Sequence, residues 1–346
     1  MLKISVVIPT KNRSALLAVA IERIESQTVS RRQYEVIVID NDSSDDTRNV
    51  LEQKARIFPN LKFGLQEKPG AAATRNAGLR LANGDLVLFI DDDVQAKPAL
   101  IEAHLDYHCK HPNTSVIGAV SMPWGDTADP FLRYLQAHRI LNPYTPSKGP
   151  IDFSYYHTCN VSTPTQMLLN VGGFNENFRV YGMEDIELGY RLEKAGCRMV
   201  FASEAQAVHY RFPGYRDFIE RSEQAGYSLG HLIRLHPELK SRFVESSRIG
   251  RHLKSIHLLY KWVSIAFSPF IAILTAWERT RGTAPLTRLM DAHYNWSIRY
   301  HFFLGYHRYW KDQKRVRHEL VTPIQPALAS QMVNAHKKAQ NSQEFL

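Results

Sequence analysis

The chain predicts an α/β fold, a mostly parallel sheet flanked by helices, followed by a C-terminal, mainly helical extension. Three observations carry this. Short apolar runs alternate with helix-like stretches over the first 120 residues, and such alternation implies a parallel sheet covered on both faces. Leu86–Ile90 is apolar at all five positions and bounded by Gly84-Asp85 and by charge, as a buried strand should be. After His209-Tyr210 the composition turns to helix formers, aromatics and basic residues.

Taken in order, Ile4–Pro9 reads as a first strand, and Ser14–Gln27 as a helix with Ser14 as candidate N-cap. Tyr34–Asp40 is a second strand and Asp46–Phe58 a second helix; Leu61–Leu65, Ala71–Ala82 and Leu86–Ile90 continue strand, helix, strand. Pro98–His111 is a helix with proline in its first turn, and Ser115–Val120 another strand. From Met122 to Pro164 proline, glycine and tyrosine become frequent, which reads as loops and an edge of the same domain. Val161–Gly173 resumes order. Glu184–Gly196 is a helix with Leu188, Leu192 and Ala195 on one face and Gly196 as its stop, and Arg198–Ala202 a last strand. The expected boundary lies near residue 212. The first domain, 1–212, divides at 120, an extension covers 213–321, and a polar tail covers 322–346.

The chain has 346 residues, 44% of them hydrophobic, enough for one large domain plus an extension. Cys109, Cys159 and Cys197 are odd in number and widely spaced, so neither a disulfide framework nor a zinc pattern follows, and a reducing cytoplasm is the expectation. Met1-Leu2-Lys3-Ile4 leads directly into a strand and has no signal-peptide pattern. The net charge of +9 is uneven. Residues 1–210 hold 22 Lys and Arg against 24 Asp and Glu, a net −2, and residues 211–346 hold 21 against 10, a net +11. A basic extension suits an anionic partner.

Asp91, Asp92 and Asp93 close the strand Leu86–Ile90. Three adjacent carboxylates repel one another, and a hard divalent cation such as Mg²⁺ or Mn²⁺, shared with substrate phosphates, would relieve them. Ligands of open α/β sheets sit beyond the carboxyl ends of the strands, so position and chemistry agree on a metal–diphosphate site. The alternative is a solvated acidic turn that caps the next helix.

Six segments occur in a fixed order. They are Ser5–Arg13 with Pro9, Thr10 and Arg13; Val36–Asp45 with Asp40-Asn41; Thr74–Leu79 with Arg75; the aspartate triplet; Gly172-Gly173-Phe174; and Gly182–Arg191, which contains Glu184-Asp185. In this order they resemble inverting family 2 glycosyltransferases of the GT-A fold, and Gly172–Arg191 is similar to the acceptor-side module of galactosyltransferase-like members. The resemblance covers roughly residues 1–212 and implies residue roles. Pro9, Thr10, Arg13, Asp40, Asn41 and Arg75 would bind the nucleotide-diphospho sugar, with Asp91 and Asp92 orienting the ribose and the metal's surroundings. Asp93 would ligate Mn²⁺ or Mg²⁺, joined by Asp91 and by His209. Asp185, beside Glu184, would be the general base. Asn160, Gly172, Gly173 and Arg191 would lie at the donor or acceptor sugar. Many members carry Asp where this chain has Asn41.

The residues themselves leave alternatives at several of these positions. Asp40-Asn41 also fits a capped turn, Arg75 a salt bridge, and Glu184-Asp185 a favourable helix N-terminus. A lone histidine such as His209 is more often structural. Trp124, Tyr155, Tyr156 and Tyr181 could stack on sugars, although aromatic residues more often pack in cores.

Residues 262–277 carry no charge, bear Trp262 and Trp277 at their ends and contain Pro269. Sixteen residues are shorter than the roughly 20 a spanning helix needs, and the proline would kink the segment. Terminal tryptophans and the basic residues of 248–317 suit an anionic membrane surface; a buried helix pair is the alternative. The first strand is followed by Thr10-Lys11-Asn12-Arg13-Ser14, without glycine, which argues against a nucleotidyltransferase or dinucleotide-dependent dehydrogenase. A nucleic-acid partner is not expected, since no such motif appears. The acceptor class stays open among a glycan, a lipid-linked sugar and a small molecule.

Overall fold

A computed structural model describes residues 2–125, 127, 129–138, 140, 151–245 and 287–315. The uncharged segment 262–277 and most of the basic residues of 248–317 lie outside the described residues. No helix among those described is long and apolar enough to cross a membrane.

Among the described residues eight strands form one sheet. They are β1 (Ile4–Thr10), β2 (Tyr34–Asp40), β3 (Leu61–Leu65), β4 (Leu86–Ile90), β5 (Val94–Ala96), β6 (Thr114–Ser121), β7 (Asn160–Pro164) and β8 (Arg198–His209), in the order β3-β2-β1-β4-β7-β6-β8-β5. Strands β3, β2, β1 and β4 are parallel neighbours. Strand β7 pairs antiparallel with both β4 and β6, and β6 runs parallel to β8. The sheet is therefore mixed. Asn160–Pro164, expected among edge and loop residues, is instead a strand near its middle.

Alternate residues of the parallel strands feed two cores, because strand side chains point to opposite faces. Val6, Ile8, Val36, Val38, Leu88 and Ile90 pack with Leu17, Ile21 and Ile24 of α1 (Ser14–Glu25) on one face. Val7, Ile37, Ile39, Val87 and Phe89 pack on the other, with Leu79 of α3 (Ala71–Leu81) and Leu188 and Leu192 of α7 (Glu184–Lys194). Between these lie α2 (Thr47–Ile57), α4 (Leu100–Lys110), α5 (Pro130–Ala137) and α6 (Thr165–Asn170). Helix α3 lies hard against β1, since a Cβ on Gly78 would come within 2.3 Å of Val7 Cγ1. That contact fixes the height of Arg75, one turn earlier.

Several expected ends move. Ser14 is the first helical residue of α1 and not its cap; its N–H donates to Asp45 Oδ2 at 3.0 Å. Pro98 precedes α4 rather than occupying its first turn. Strand β8 runs on past Ala202 to His209 through an irregularity opposite Gly118 and Ala119, and this extension carries His209 to the sheet edge where β4 ends. Beyond it, α8 (Tyr215–Leu235) packs along α9 (Thr287–Arg315). The two backbones nearly touch, for a Cβ on Gly226 would meet Phe302 O at 1.6 Å and one on Gly305 would meet Glu223 O at 1.8 Å.

Candidate active site

The carboxyl ends of β1, β2 and β4 fall at one edge, since the register pairs Thr10 with Asp40 and Val7 with Phe89. A cavity of about 730 Å³ opens there. Pro9, Thr10, Arg13, Asn41, Arg75, Asp91, Asp92, Asp93, Glu184, Asp185 and His209 all line it. Sequence segments nearly two hundred residues apart are thereby brought into one site.

The strand-end acids are held by cations. Arg13 Nη1 donates to Asp92 Oδ1 at 2.8 Å and to Asp93 Oδ2 at 2.7 Å, and Thr10 Oγ1 donates to Asp92 Oδ2 at 2.8 Å. Arg75 is buried and spans two elements, donating from Nη2 to Asp91 Oδ1 at 2.8 Å and from Nη1 to Glu184 Oε1 at 3.1 Å. Burial is the larger influence on Asp92 and pushes its carboxyl up to about 6 against the pull of Arg13. At Asp93 burial also pushes up, but the hydrogen bond and charge of His209, with Arg13, outweigh it and hold the group at about 2.

Asp93 Oδ1 and His209 Nε2 lie 3.0 Å apart. Among the described residues no three metal-ligating side chains are preassembled. The pair nonetheless fits a hard cation. Bonds of about 2.1 Å in an octahedron set neighbouring ligands roughly 3 Å apart, and Mg²⁺ usually completes its shell with water and substrate phosphate. A carboxylate with an imidazole suits Mn²⁺ equally. Among the described residues His209 Nδ1 is buried without a hydrogen-bond partner, and Nε2 is the nitrogen that faces Asp93.

The second acidic group opens α7. Gly182 (φ +92°) and Met183 (φ +70°) turn the chain directly into the helix, and left-handed backbone at a non-glycine residue carries strain of the kind found at functional sites. Asp185 Oδ1 accepts from Ile186 N–H at 2.8 Å, and its Oδ2 lies 3.5 Å from His157 Nδ1. Burial would raise Asp185, but His157, Arg75 and the Ile186 amide together hold it below the usual carboxylate range. Glu184 goes the other way, to about 7, through burial and then the charge of Asp185. Two adjacent carboxyls pushed apart in this manner are a common acid–base arrangement.

Other residues implied by the resemblance stand elsewhere. Asp40 is not in the cavity lining, and its Oδ1 accepts from Ser43 N–H at 3.0 Å. Asn41 lines the cavity, yet its amide donates to Gln66 O (2.6 Å) and Lys68 O (2.9 Å) and accepts from Gly70 N–H (3.0 Å). It ties the turn before α3 to β2. Asn160 does not line the cavity. It is 1% exposed, donates to Ala205 O at 2.8 Å and meets His104 Nε2 at 2.9 Å, so it pins the irregular part of β8. Gly172 (φ +81°) and Gly173 (φ +65°) make the turn after α6, which Arg191 clamps by donating to Val171 O and Gly173 O at 2.5 and 2.7 Å while paired with Glu187. Asn160, Gly172, Gly173 and Arg191 therefore brace the frame: none of the four lines the cavity, and their polar groups are engaged by backbone carbonyls and by the side chains of His104 and Glu187.

Sequence reasoning passed over His157, Lys11, Arg211 and Arg221, all of which line the cavity. A local signal existed only for Arg211, two residues after His209 at a strand end. Of the four aromatics named above, Trp124 and Tyr156 are buried, while Tyr181 is 44% exposed and lines the cavity.

Residues 5–174 match the family model for glycosyl transferase family 2, and residues 140–213 match the N-terminal domain of galactosyltransferase. The chain carries a glycosyl transferase family 2 domain. Among curated proteins it is 30% identical over 274 residues to the validoxylamine A glucosyltransferase of Streptomyces hygroscopicus subsp. jinggangensis, covering 68% of this chain and 61% of that protein. It is 26% identical over 283 residues to the chondroitin synthase of Escherichia coli, covering 72% of this chain and 41% of that protein. The chain thus spans less than two thirds of the length of these curated relatives. Among solved structures, a mannosyltransferase from Pyrobaculum calidifontis in complex with GDP-Man and Mn²⁺ superposes with a TM-score of 0.61 at 18% identity, over 90% of this chain and 88% of that one. Residues 1–349 of S. aureus TarS in complex with UDP-GlcNAc superpose with a TM-score of 0.53 at 16% identity, over 91% and 92%. At these identities the likeness establishes the GT-A fold of this family 2 domain.

Proposed function

We propose that this protein transfers a sugar from a nucleotide-diphospho sugar, a UDP-sugar by preference, to a hydroxyl of a glycan, lipid-linked or small-molecule acceptor, with inversion of the anomeric centre. One observation carries the reading. A single cavity is lined both by the strand-end acids Asp91–Asp93 and by Asp185, whose side chain keeps 18% of its surface open.

In this reading Pro9, Thr10, Arg13 and Arg75 shape and hold the donor side, and Asn41 sets the turn beneath it. Asp93 and His209, with Asp91 beside them, would hold Mn²⁺ or Mg²⁺, which when bound neutralises charge on the departing diphosphate. Asp185 Oδ2 takes the proton of the acceptor hydroxyl as its oxygen attacks the anomeric carbon. The bond from that carbon to the diphosphate breaks in the same step, and the nucleoside diphosphate leaves with the electron pair. A lowered Asp185 is ionised at neutral pH and so ready to accept the proton. The hydroxyl becomes acidic only as its oxygen bonds to carbon, so a weak base suffices. The donor side is assigned to residues 1–120 and the acceptor side to 121–212. Attachment to anionic lipid from the cytoplasmic side through residues 248–317 is proposed on charge alone, and co-sedimentation with anionic liposomes at low salt tests it.

The decisive experiment compares wild type with Asp185→Asn across UDP-, GDP- and dTDP-sugars, with and without Mn²⁺, and reads product configuration by NMR. Transfer should fall about 10²- to 10⁴-fold in the variant while donor binding persists. Undiminished transfer, or a product of retained configuration, would sink the reading.

A further inference from the structure

The arginines lining the cavity differ in one respect. Arg13 and Arg75 are each held by two carboxylates at 2.7–3.1 Å. Arg211 has no carboxylate within the 4.0 Å of an ion pair among the described residues. Asp93 and Asp217 act on it only through space, and its one side-chain hydrogen bond is a long one to Tyr181 Oη at 3.4 Å. It is half-buried, and its backbone is fixed: the carbonyl accepts from Trp124 Nε1–H at 2.7 Å and the N–H donates to His209 O at 2.9 Å. A guanidinium taken partly out of water without a counter-ion costs folding energy. Its fork of donors suits a planar oxyanion held by two hydrogen bonds.

Tyr181 completes the arrangement. Its ring lies 5.9 Å from the Arg211 guanidinium carbon and 5.2 Å from that of Arg221. The loop bearing it is tied to α8, where Ser228 Oγ donates to Val180 O at 3.4 Å and Tyr181 O at 3.2 Å. The strained turn at Gly182-Met183 then leads into α7, so a fixed aromatic platform stands four residues before Asp185. Tyr181 is 44% exposed, and an aromatic ring with that much open surface is one on which a pyranose can lie. The charge is also countable. Arg221 is offset by Asp217 at 3.2 Å, which leaves Arg211 as the one cation of this cluster without an ion-pair partner among the described residues and so fits a monoanion better than a phosphate.

We propose that Tyr181, Arg211 and Arg221 form an acceptor subsite for an acidic saccharide, a hexuronic acid whose ring stacks on Tyr181 and whose carboxylate meets Arg211. This rests on the reading of Asp185 as the base that activates an acceptor in this cavity. The leaving diphosphate is the other oxyanion in reach, and the test separates the two.

Binding of the methyl glycosides of glucuronic and galacturonic acid is measured by saturation-transfer NMR beside the neutral glucosides and galactosides, with UDP and Mn²⁺ present. UDP affinity is measured separately by calorimetry. At least one uronide should bind about tenfold or more tightly than its neutral partner. Arg211→Gln should erase that preference and leave UDP affinity unchanged, and Tyr181→Ala should weaken acidic and neutral glycosides alike. Equal binding of acidic and neutral glycosides, or no glycoside binding at all, overturns the proposal. So does an Arg211→Gln variant that loses UDP affinity, since Arg211 would then serve the diphosphate. Failure of wild type to bind any nucleotide would instead strike at the donor reading. Circular dichroism confirms that each variant is folded.

Discussion

Two acidic clusters line the cavity, one at the end of β4 and one at the start of α7, and they are stabilised by different means. At β4, Arg13 bridges Asp92 and Asp93, and His209 adds a second contact to Asp93 at 3.0 Å. At α7, Asp185 leans on His157 at 3.5 Å and on the Ile186 amide at 2.8 Å. Each cluster splits its pair, with Asp92 up to about 6 and Asp93 down to about 2, Glu184 up to about 7 and Asp185 down. What differs is the company of the low carboxyl: at β4 Asp93 sits with His209 and Arg13 at the strand ends, whereas at α7 Asp185 sits with His157 and the Ile186 amide at a helix start. Carboxylates alike in sequence acquire separate roles from the cations that fold against them.

Among the described residues Arg75 is the one bonded to both clusters, so removing it tests the comparison most severely. Arg75→Met should cost about 3–5 kcal/mol in urea unfolding, the range for stripping one partner from a buried ion pair. A loss below about 1 kcal/mol would mean that the clusters do not depend on a shared cation.

The next test concerns Glu184. Its folded pKa lies above its unfolded value of 4.5, so the native state keeps a proton that the unfolded chain has lost. That contribution is fully present below about 4.5 and is lost as pH rises towards about 7. Glu184→Gln should therefore flatten the decline of stability between pH 5 and 7, by at most about 3 kcal/mol. Parallel stability–pH curves for wild type and variant would place Glu184 outside the acid–base pair.

His157→Gln sharpens the contrast kinetically. Loss of the imidazole should let Asp185 rise, so the acid limb of the pH–rate profile moves to higher pH. Arg13→Gln should leave that limb in place, because Arg13 serves the β4 cluster alone. An acid limb that ignores His157 would remove the proposed difference between the two clusters.

The smallest effect separates chemistry from scaffolding. Asn160→Ala should cost about 1–3 kcal/mol of stability, for the unpaired Ala205 carbonyl and His104 ring, with donor affinity unchanged in calorimetry. Weakened donor binding at unaltered stability would return Asn160 to the sugar site.

Much of this was legible in the chain because it is locally encoded. β1 to β4 were readable as apolar runs since each strand is buried on both faces, and parallel strands deliver their carboxyl ends to one edge without further information. Hence Thr10 and Asp91–Asp93 could be expected at one edge, and the resemblance to family 2 glycosyltransferases added Arg13, Arg75 and Glu184-Asp185 to the same site. β7 was not readable as a strand, because Asn160-Val-Ser-Thr-Pro164 looks like loop. Its Ser162 and Thr163 are fully buried only because His104, His108, Ser115 and Tyr156 arrive from elsewhere to satisfy them. The extension of β8 past Ala202 was equally hidden, since it depends on Asn160 holding the Ala205 carbonyl.

The sequence by itself thus determined the α/β class, the strand-end acids and the helix that opens with Glu184-Asp185, all of which follow from backbone propensity and the period of apolar residues. Only the tertiary structure decided which motif residues face the cavity and which brace it, that His157 stands beside Asp185, and that Arg211 has no ion-pair partner among the described residues. Hydrogen-bond and ion-pair partners are chosen across distances in the chain that no local pattern records, and burial, which sets their strength, exists only once both cores have closed.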